Sequence, residues 1–363
     1  MLKVFLLVAF FLICNAQSHG ETLLVVSEDS IVFDKEDIER KMGYDEHQVG
    51  AYIEEDLALV GVANGVYARL SPDAPWKKLL DCRQRGDNWG SDFQVAMQTS
   101  VLFYPTQFWR TPGADSFLVW DDYMIAPYSM SLGDDQVRIK YLESYDEAIG
   151  KVYVDNVSEC NGRLLGGKIS VGNEIIVIML SADMSGCRDG YRCPMSLSDS
   201  LGRLGYGTRE TYPVFNPVDS SIWIAFFAYG YIYVVDMHGQ LLDSIPVAGD
   251  DFRLPKPPRS RMKSKAVTRE WHANFTRVES FSYAPPGYFL FQYRIGWEKL
   301  AVDSLPLFST ITWSADRKPV ELDLDKRWQV AGVQPDGRVI FTRYLLEDRR
   351  AVGLILTEAR IEP

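Results

Sequence analysis

Three stretches of the chain repeat one device. "VFNPVDSSIWIAFFAYG", "SYAPPGYFLFQYRIG" and "GVQPDGRVIFTRYLL" each set an apolar strand, a turn holding Pro with Asp or Gly, and then a more strongly apolar strand. Proline presets the backbone for a tight turn, and Gly or Asp tolerates its second half. Looser copies lie upstream in "DLALVGVANGVYARL", "DSFLVWDDYMIAPYSM" and "GNEIIVIML". With Leu57, Phe117, Ile175, Ile222, Tyr288 and Val339 as markers of strong inner strands, the unit recurs at intervals of about 47 to 66 residues. Strand runs rich in Val, Ile, Phe, Tyr and Trp are broken at short intervals by turn residues. Helical periodicity is confined to a short charged segment, Lys35 to Met42.

Repeats near this length signal a propeller or a related array, and a four-stranded blade takes about 40 to 50 residues plus connections. The predicted fold is all-β: a six-bladed β-propeller of four-stranded antiparallel blades. One blade reads as "PVFNP", "SIWIAFF", "YIYVVDM" and "QLLDSIPV", with His238-Gly239 as a hairpin turn; the next reads as "RVESFSYA", "YFLFQYR", "FSTITWSA" and "PVELDL". From Trp328 to Ile361 only three strands are clear, and "TLLVVSE" supplies a fourth that closes the ring. Closure of this kind removes exposed strand edges. Of 363 residues, 47% are hydrophobic and 13% aromatic, enough to fill such a core as one domain.

The segments "IYVVDMHGQLLDSI" and "VAGVQPDGRVIFT" carry a resemblance. The chain resembles the extracytoplasmic six-bladed β-propellers of bacteria, the TolB-like and NHL-like group, over most of its length. That resemblance implies binding of proteins, glycans or small ligands at the mouth of the ring, with enzymes a minority. It carries over no catalytic signature.

The N-terminus points to export. Lys3 precedes an apolar run from Val4 to Ile13, too short to span a bilayer, and small residues at Cys14 and Ala16 offer a cleavage site. Residues 1–16 are expected to be a signal peptide and residues 17–363 a single propeller domain in an extracytoplasmic setting: periplasmic, secreted, or lipid-anchored through Cys14. No later run suits a transmembrane segment. The net charge of −11 argues against nucleic acid, whose phosphates need a basic surface. The expected molecule is a monomer with a protein or glycan ligand.

Four cysteines remain after cleavage. "CRDGYRC" places Cys187 and Cys193 around an Asp-Gly turn, and a bridge across a hairpin tip is expected there. Cys82 and Cys160 are left over. No C-x-x-C pair exists, so no structural metal is expected, and no cofactor is required. Ca²⁺ is the one ion weighed, for paired acids at Asp121-Asp122, Asp134-Asp135 or Asp250-Asp251.

Two surface features are candidate binding elements. Residues 252 to 272 hold seven Lys or Arg without an intervening acid, including Arg259, Arg261, Lys263 and Lys265, and end on Trp271 and His272. Such a lobe suits an acidic group on a partner. Residues 103 to 130 are dense in aromatics, with Trp109 and Trp120 as candidates for stacking on a ligand. Two functional classes remain: a non-catalytic binding module, or a hydrolase or lyase (lactonase- or glycosidase-like) using acids or Ca²⁺ in the central funnel.

Overall fold

The computed structural model describes residues 22–33, 49–54, 56–62, 65–81, 105–110, 116–121, 126–132, 137–141, 145–146, 150–151, 156–160, 163–169, 174–180, 187–196, 211–226, 230–247, 249, 251–253, 276–295, 307–314, 318–347 and 350–362. The segments read as the signal peptide and as most of the basic lobe lie outside them.

Every regular element among the described residues is a strand. After β1 (Thr22–Val32), the first sheet contains β2 (Gly50–Glu54), β3 (Leu57–Val62), β4 (Gly65–Arg69) and β5 (Lys77–Asp81). The second contains β6 (Pro105–Arg110), β7 (Ser116–Asp121), β8 (Ala126–Leu132) and β9 (Val137–Tyr141). A two-stranded ribbon follows, β10 (Tyr145–Asp146) with β11 (Gly150–Lys151). The third sheet contains β12 (Asn156–Cys160), β13 (Arg163–Ile169), β14 (Glu174–Leu180) and β15 (Cys187–Ser196). The fourth contains β16 (Thr211–Asn216), β17 (Ser221–Phe226), β18 (Tyr231–Val235) and β19 (Leu241–Pro246). The fifth contains β20 (Arg277–Ala284), β21 (Tyr288–Ile295), β22 (Leu307–Trp313) and β23 (Pro319–Glu321). The last contains β24 (Gln329–Val333), β25 (Val339–Glu347) and β26 (Arg350–Glu362), and β1 joins it by pairing with β26. All pairings are antiparallel and run between chain neighbours except this last one.

The burial of each strand follows from its place in a sheet. In β17 all six residues are buried, because the strand is flanked on both edges and covered on both faces, and the sequence therefore runs apolar without alternation. The outermost strand of the same sheet, β19, buries only Ile245. Trp223 of β17 stacks on Phe289 of β21 with centroids 3.9 Å apart, joining the fourth sheet to the fifth. First strands meet at five seams: β2 lies against β6 and β24, β20 against β16 and β24, and β16 against β12.

Hydrogen bonds cross the same seams. Ser158 Oγ donates to the Pro213 carbonyl at 2.5 Å, and Tyr212 Oη to the Val278 carbonyl at 3.1 Å. Gln292, fully buried, donates to the Trp328 carbonyl at 3.1 Å and accepts from the Val330 N–H at 2.9 Å. Small antiparallel sheets meeting side by side through their first strands make a β-propeller.

Three expectations are corrected. The strongly apolar strands at Leu57, Phe117, Ile222, Tyr288 and Val339 are second strands, the place read for "SIWIAFF" and "YFLFQYR", but Ile175, expected in the same place, lies in a third strand. Second and third strands alike are flanked by a strand on each side. Pairing of β1 with β26 also does not remove every edge, since β1, β5, β9, β15, β19 and β23 each keep one unpaired side. Finally, Asp189-Gly190 is not a hairpin tip. It lies inside β15, opposite Met179 and Ile178, with Cys187 opposite Leu180 and Cys193 opposite Ile175. Strand geometry spaces those two Cα atoms by roughly 16–20 Å, whereas a disulfide needs less than about 7 Å. Cys82 lies outside the described residues.

Candidate functional site

Three first strands end around one opening. β2 ends at Glu54, β6 at Arg110, and β24 runs into the turn from Gln334 to Arg338. Between them lies a cleft of about 490 Å³ lined by residues of the two turns and the end of β6. Its polar groups are Glu54, Asp56, Arg110, Gln334, Asp336 and Arg338, and Ile53, Leu57 and Pro335 supply apolar surface.

The β24–β25 turn is built by its own backbone. The Gln334 N–H donates to the Arg338 carbonyl at 2.8 Å and the Gly337 N–H to the Gln334 carbonyl at 2.9 Å. Gly337 takes φ +84°, the left-handed residue a three-residue hairpin requires. A Cβ there would also strike the Pro285 carbonyl oxygen, so the position is closed to other residues on two grounds. The turn at Asp236 to Gln240 repeats this pattern, with Gly239 at φ 79°. The predicted His238-Gly239 hairpin turn is thus present, and His238 serves it through its backbone.

Among the described residues each charged group of the cleft is tied to an opposite one, except Asp56. The Glu54 carboxylate accepts from the Tyr52 hydroxyl and from the Arg110 guanidinium, a bond that also joins the first sheet to the second. Burial pushes the Tyr52 hydroxyl well above the usual phenol range, and the adjacent Glu54 carboxylate pushes it further. Arg338 donates through Nε to Asp336 at 2.7 Å and through a terminal nitrogen to the buried Glu358. Glu358 in turn accepts from Ser27 Oγ of β1 at 2.6 Å, so the strand closing the last sheet is tied to the wall of the cleft. Partial burial works to raise the Asp336 carboxyl, but the Arg338 N–H and guanidinium, with Arg360 behind them, hold it below the usual carboxylate range. Gln334 is only 2% exposed, and its Oε1 accepts from the Ile53 N–H at 3.4 Å.

The residues expected to form the binding surface are placed differently. Trp109 is half-buried in β6, one position before Arg110, and neighbouring strand residues point to opposite faces. Trp120 lies in β7 opposite Gln107 and Pro127. Arg259, Arg261, Lys263, Lys265, Trp271 and His272 lie outside the described residues, as do Asp122, Asp134-Asp135 and Asp250. Asp251 is described and pairs with Lys326. Among the described residues no three His, Cys, Asp or Glu side chains converge as a metal site would require.

None of the cleft residues stood out from sequence as a binding residue; Leu57 marked a strand only. The sole signal was the Pro-Asp-Gly turn at Pro335, which reads as architecture. Glu54 and Arg110 are 56 positions apart and Ile53 and Gln334 are 281 apart, so no local spacing records the site.

The fold and the cleft define the class: a β-propeller with a polar opening where its first strands end. No protein-family model and no curated protein matches the chain. Among solved structures it is similar to a member of the duf4221 family from Bacteroides vulgatus, at 11% identity and a TM-score of 0.57, covering 94% of this chain and 99% of that one. It is also similar to a protein from Bacteroides fragilis described as exported, at 9% identity and a TM-score of 0.49, covering 94% and 96% of the two chains. At these identities the likeness concerns the fold alone. No helix among the described residues is long and apolar enough to cross a membrane.

Proposed function

We propose that the chain is an exported, non-catalytic binding protein, a single ring of six four-stranded blades latched by β1, which holds its ligand in the cleft between Glu54, Arg110 and Asp336. The sheet order and the contacts between successive first strands support the ring, and the N-terminal apolar segment supports export. The observation that carries the binding reading is the pairing of the cleft's carboxylates. A general acid needs a carboxyl held protonated near neutral pH, by burial or a neighbouring anion. Asp336 is held the opposite way, and Glu54 is paired with a guanidinium. A carboxylate held low, as Asp336 is, accepts hydrogen bonds from a ligand and is poorly suited to donate a proton to it.

The test uses the whole chain on an array of oligosaccharides and peptides, and in turnover assays on chromogenic glycosides, esters and lactones with and without Ca²⁺. The expected result is binding to at least one array member, weakened fivefold or more by Arg110→Ala, with no turnover. Turnover abolished by Glu54→Gln would overturn the reading. So would binding that Arg110→Ala leaves unchanged.

A further inference from the structure

We infer that the cleft takes an uncharged, hydroxyl-rich ligand, a saccharide, and that Gln334 is the residue that selects it; this rests on the binding reading above. The key is the state of the Gln334 amide. The Ile53 N–H can be met only by an acceptor, which fixes the oxygen toward Ile53 and turns the Nε2 protons away from it. Among the described residues those protons have no partner, although the side chain is nearly enclosed and lines the cleft. Gln334 Nε2 is not among the fully enclosed polar atoms that lack a partner, so an acceptor on a ligand in the cleft completes its hydrogen bonding in place of water.

The surrounding charges decide what kind of acceptor. Arg110 is neutralised by Glu54, and Arg338 by Asp336 and Glu358. An anionic ligand would have to displace a carboxylate from one of these guanidiniums, and the one carboxylate of the cleft without a cation among the described residues, Asp56, repels it further. A hydroxyl need displace neither, because a paired carboxylate keeps lone pairs and a paired guanidinium keeps N–H groups. A hydroxyl both donates and accepts, so a row of them matches a wall where carboxylates, guanidiniums and the Gln334 amide lie side by side. The C–H surface of a sugar ring has Ile53, Leu57 and Pro335 to lie against. The volume, about 490 Å³, lies within the range of small-ligand pockets.

The experiment is calorimetric titration of the whole chain with a panel of neutral gluco-, manno-, galacto- and xylo-oligosaccharides at 0.15 M and 1 M NaCl. Binding should change less than about twofold with salt, because no ligand charge is screened. Gln334→Glu keeps the acceptor for Ile53 but replaces the donor, and should weaken binding at least tenfold. Gln334→Met removes both groups at similar volume and should weaken it about fivefold, with melting temperatures showing that both variants fold. If no panel member binds at millimolar concentration, or binding survives both substitutions, the inference fails. A charged peptide that binds instead, with strong salt dependence and sensitivity to Arg110→Ala, would overturn the saccharide while leaving a binding cleft. Loss of every Arg110-sensitive interaction would remove both.

Discussion

Asp236 and Asp336 occupy comparable hairpin turns and are held by different means. Asp236 Oδ1 accepts from the backbone N–H groups of Gln240 and His238, each at 2.8 Å, and chiefly the Gln240 bond holds its carboxyl below the ordinary 3.8. Asp336 uses one backbone bond and two guanidiniums. A carboxyl whose folded value is depressed stabilises the fold above its unfolded value and ceases to do so as pH falls through the folded value. Wild-type stability should therefore carry a loss below about pH 4 that Asp236→Asn lacks, since the amide keeps the acceptor without the charge. Urea midpoints at pH 7 and pH 2.5 for both proteins measure the difference; equal losses would show that Asp236 contributes nothing. At this scale the sequence was readable for turns and silent for the cleft. A Pro-Asp-Gly pattern is local, whereas the bond from Ile53 to Gln334 exists only after the ends of the chain have met.

Where β2 meets β6 and β24, backbone approaches backbone with no room for a side chain between them. A Cβ on Gly332 would lie 2.3 Å from the Ala51 carbonyl oxygen of β2, and one on Gly50 would lie equally close to Thr106 of β6. Neither obstacle is a flexible side chain, so β2 itself would have to move. Gly332→Ala should cost about 1–3 kcal/mol, read as a lower urea midpoint with unchanged slope. Gly287, which has nothing within 4 Å of its missing Cβ, is the control, and its alanine variant should be neutral or slightly stabilising. If Gly332→Ala matches that control, the seam between β24 and β2 is looser than the backbone contact implies. The same scale shows where sequence reading failed. Asp-Gly between Cys187 and Cys193 looks like a turn, yet β15 passes through it, with a shift of register against β14 between Met179 and Leu180. An irregularity inside a strand and a turn at its end use the same residues, and only pairing with a neighbour tells them apart.

Across the whole molecule the strand list was legible because each sheet forms from consecutive strands, so the apolar runs and their turns lie together in the chain. The predicted strands "SIWIAFF", "YFLFQYR" and "FSTITWSA" correspond to β17, β21 and β22, and "TLLVVSE" falls within β1 beside β26. What could not be read was the relation between sheets. The cleft draws on the first, second and last of them, and its lining is fixed by Tyr52, Glu54, Arg110 and the Ser27–Glu358–Arg338 chain. A binding surface assembled from turns of separate sheets leaves each turn looking ordinary.

The pairing of β1 with β26 has a mechanical side. Thr22 lies opposite Glu362, and the register runs inward from there to Val32 opposite Gly353. Tension applied to the two ends of this pair pulls at the same extremity of an antiparallel ladder. It loads the hydrogen bonds one after another, as a zipper, and not all together in shear. The latch that resists thermal opening cooperatively should then yield at low force. In optical-trap pulling from handles fused beyond both ends, β1 should peel away first as a short extension before the remaining sheets give way. A single high-force rupture without that step would show that Asp29, through its bonds to Arg69 and Trp76, anchors β1 against the load.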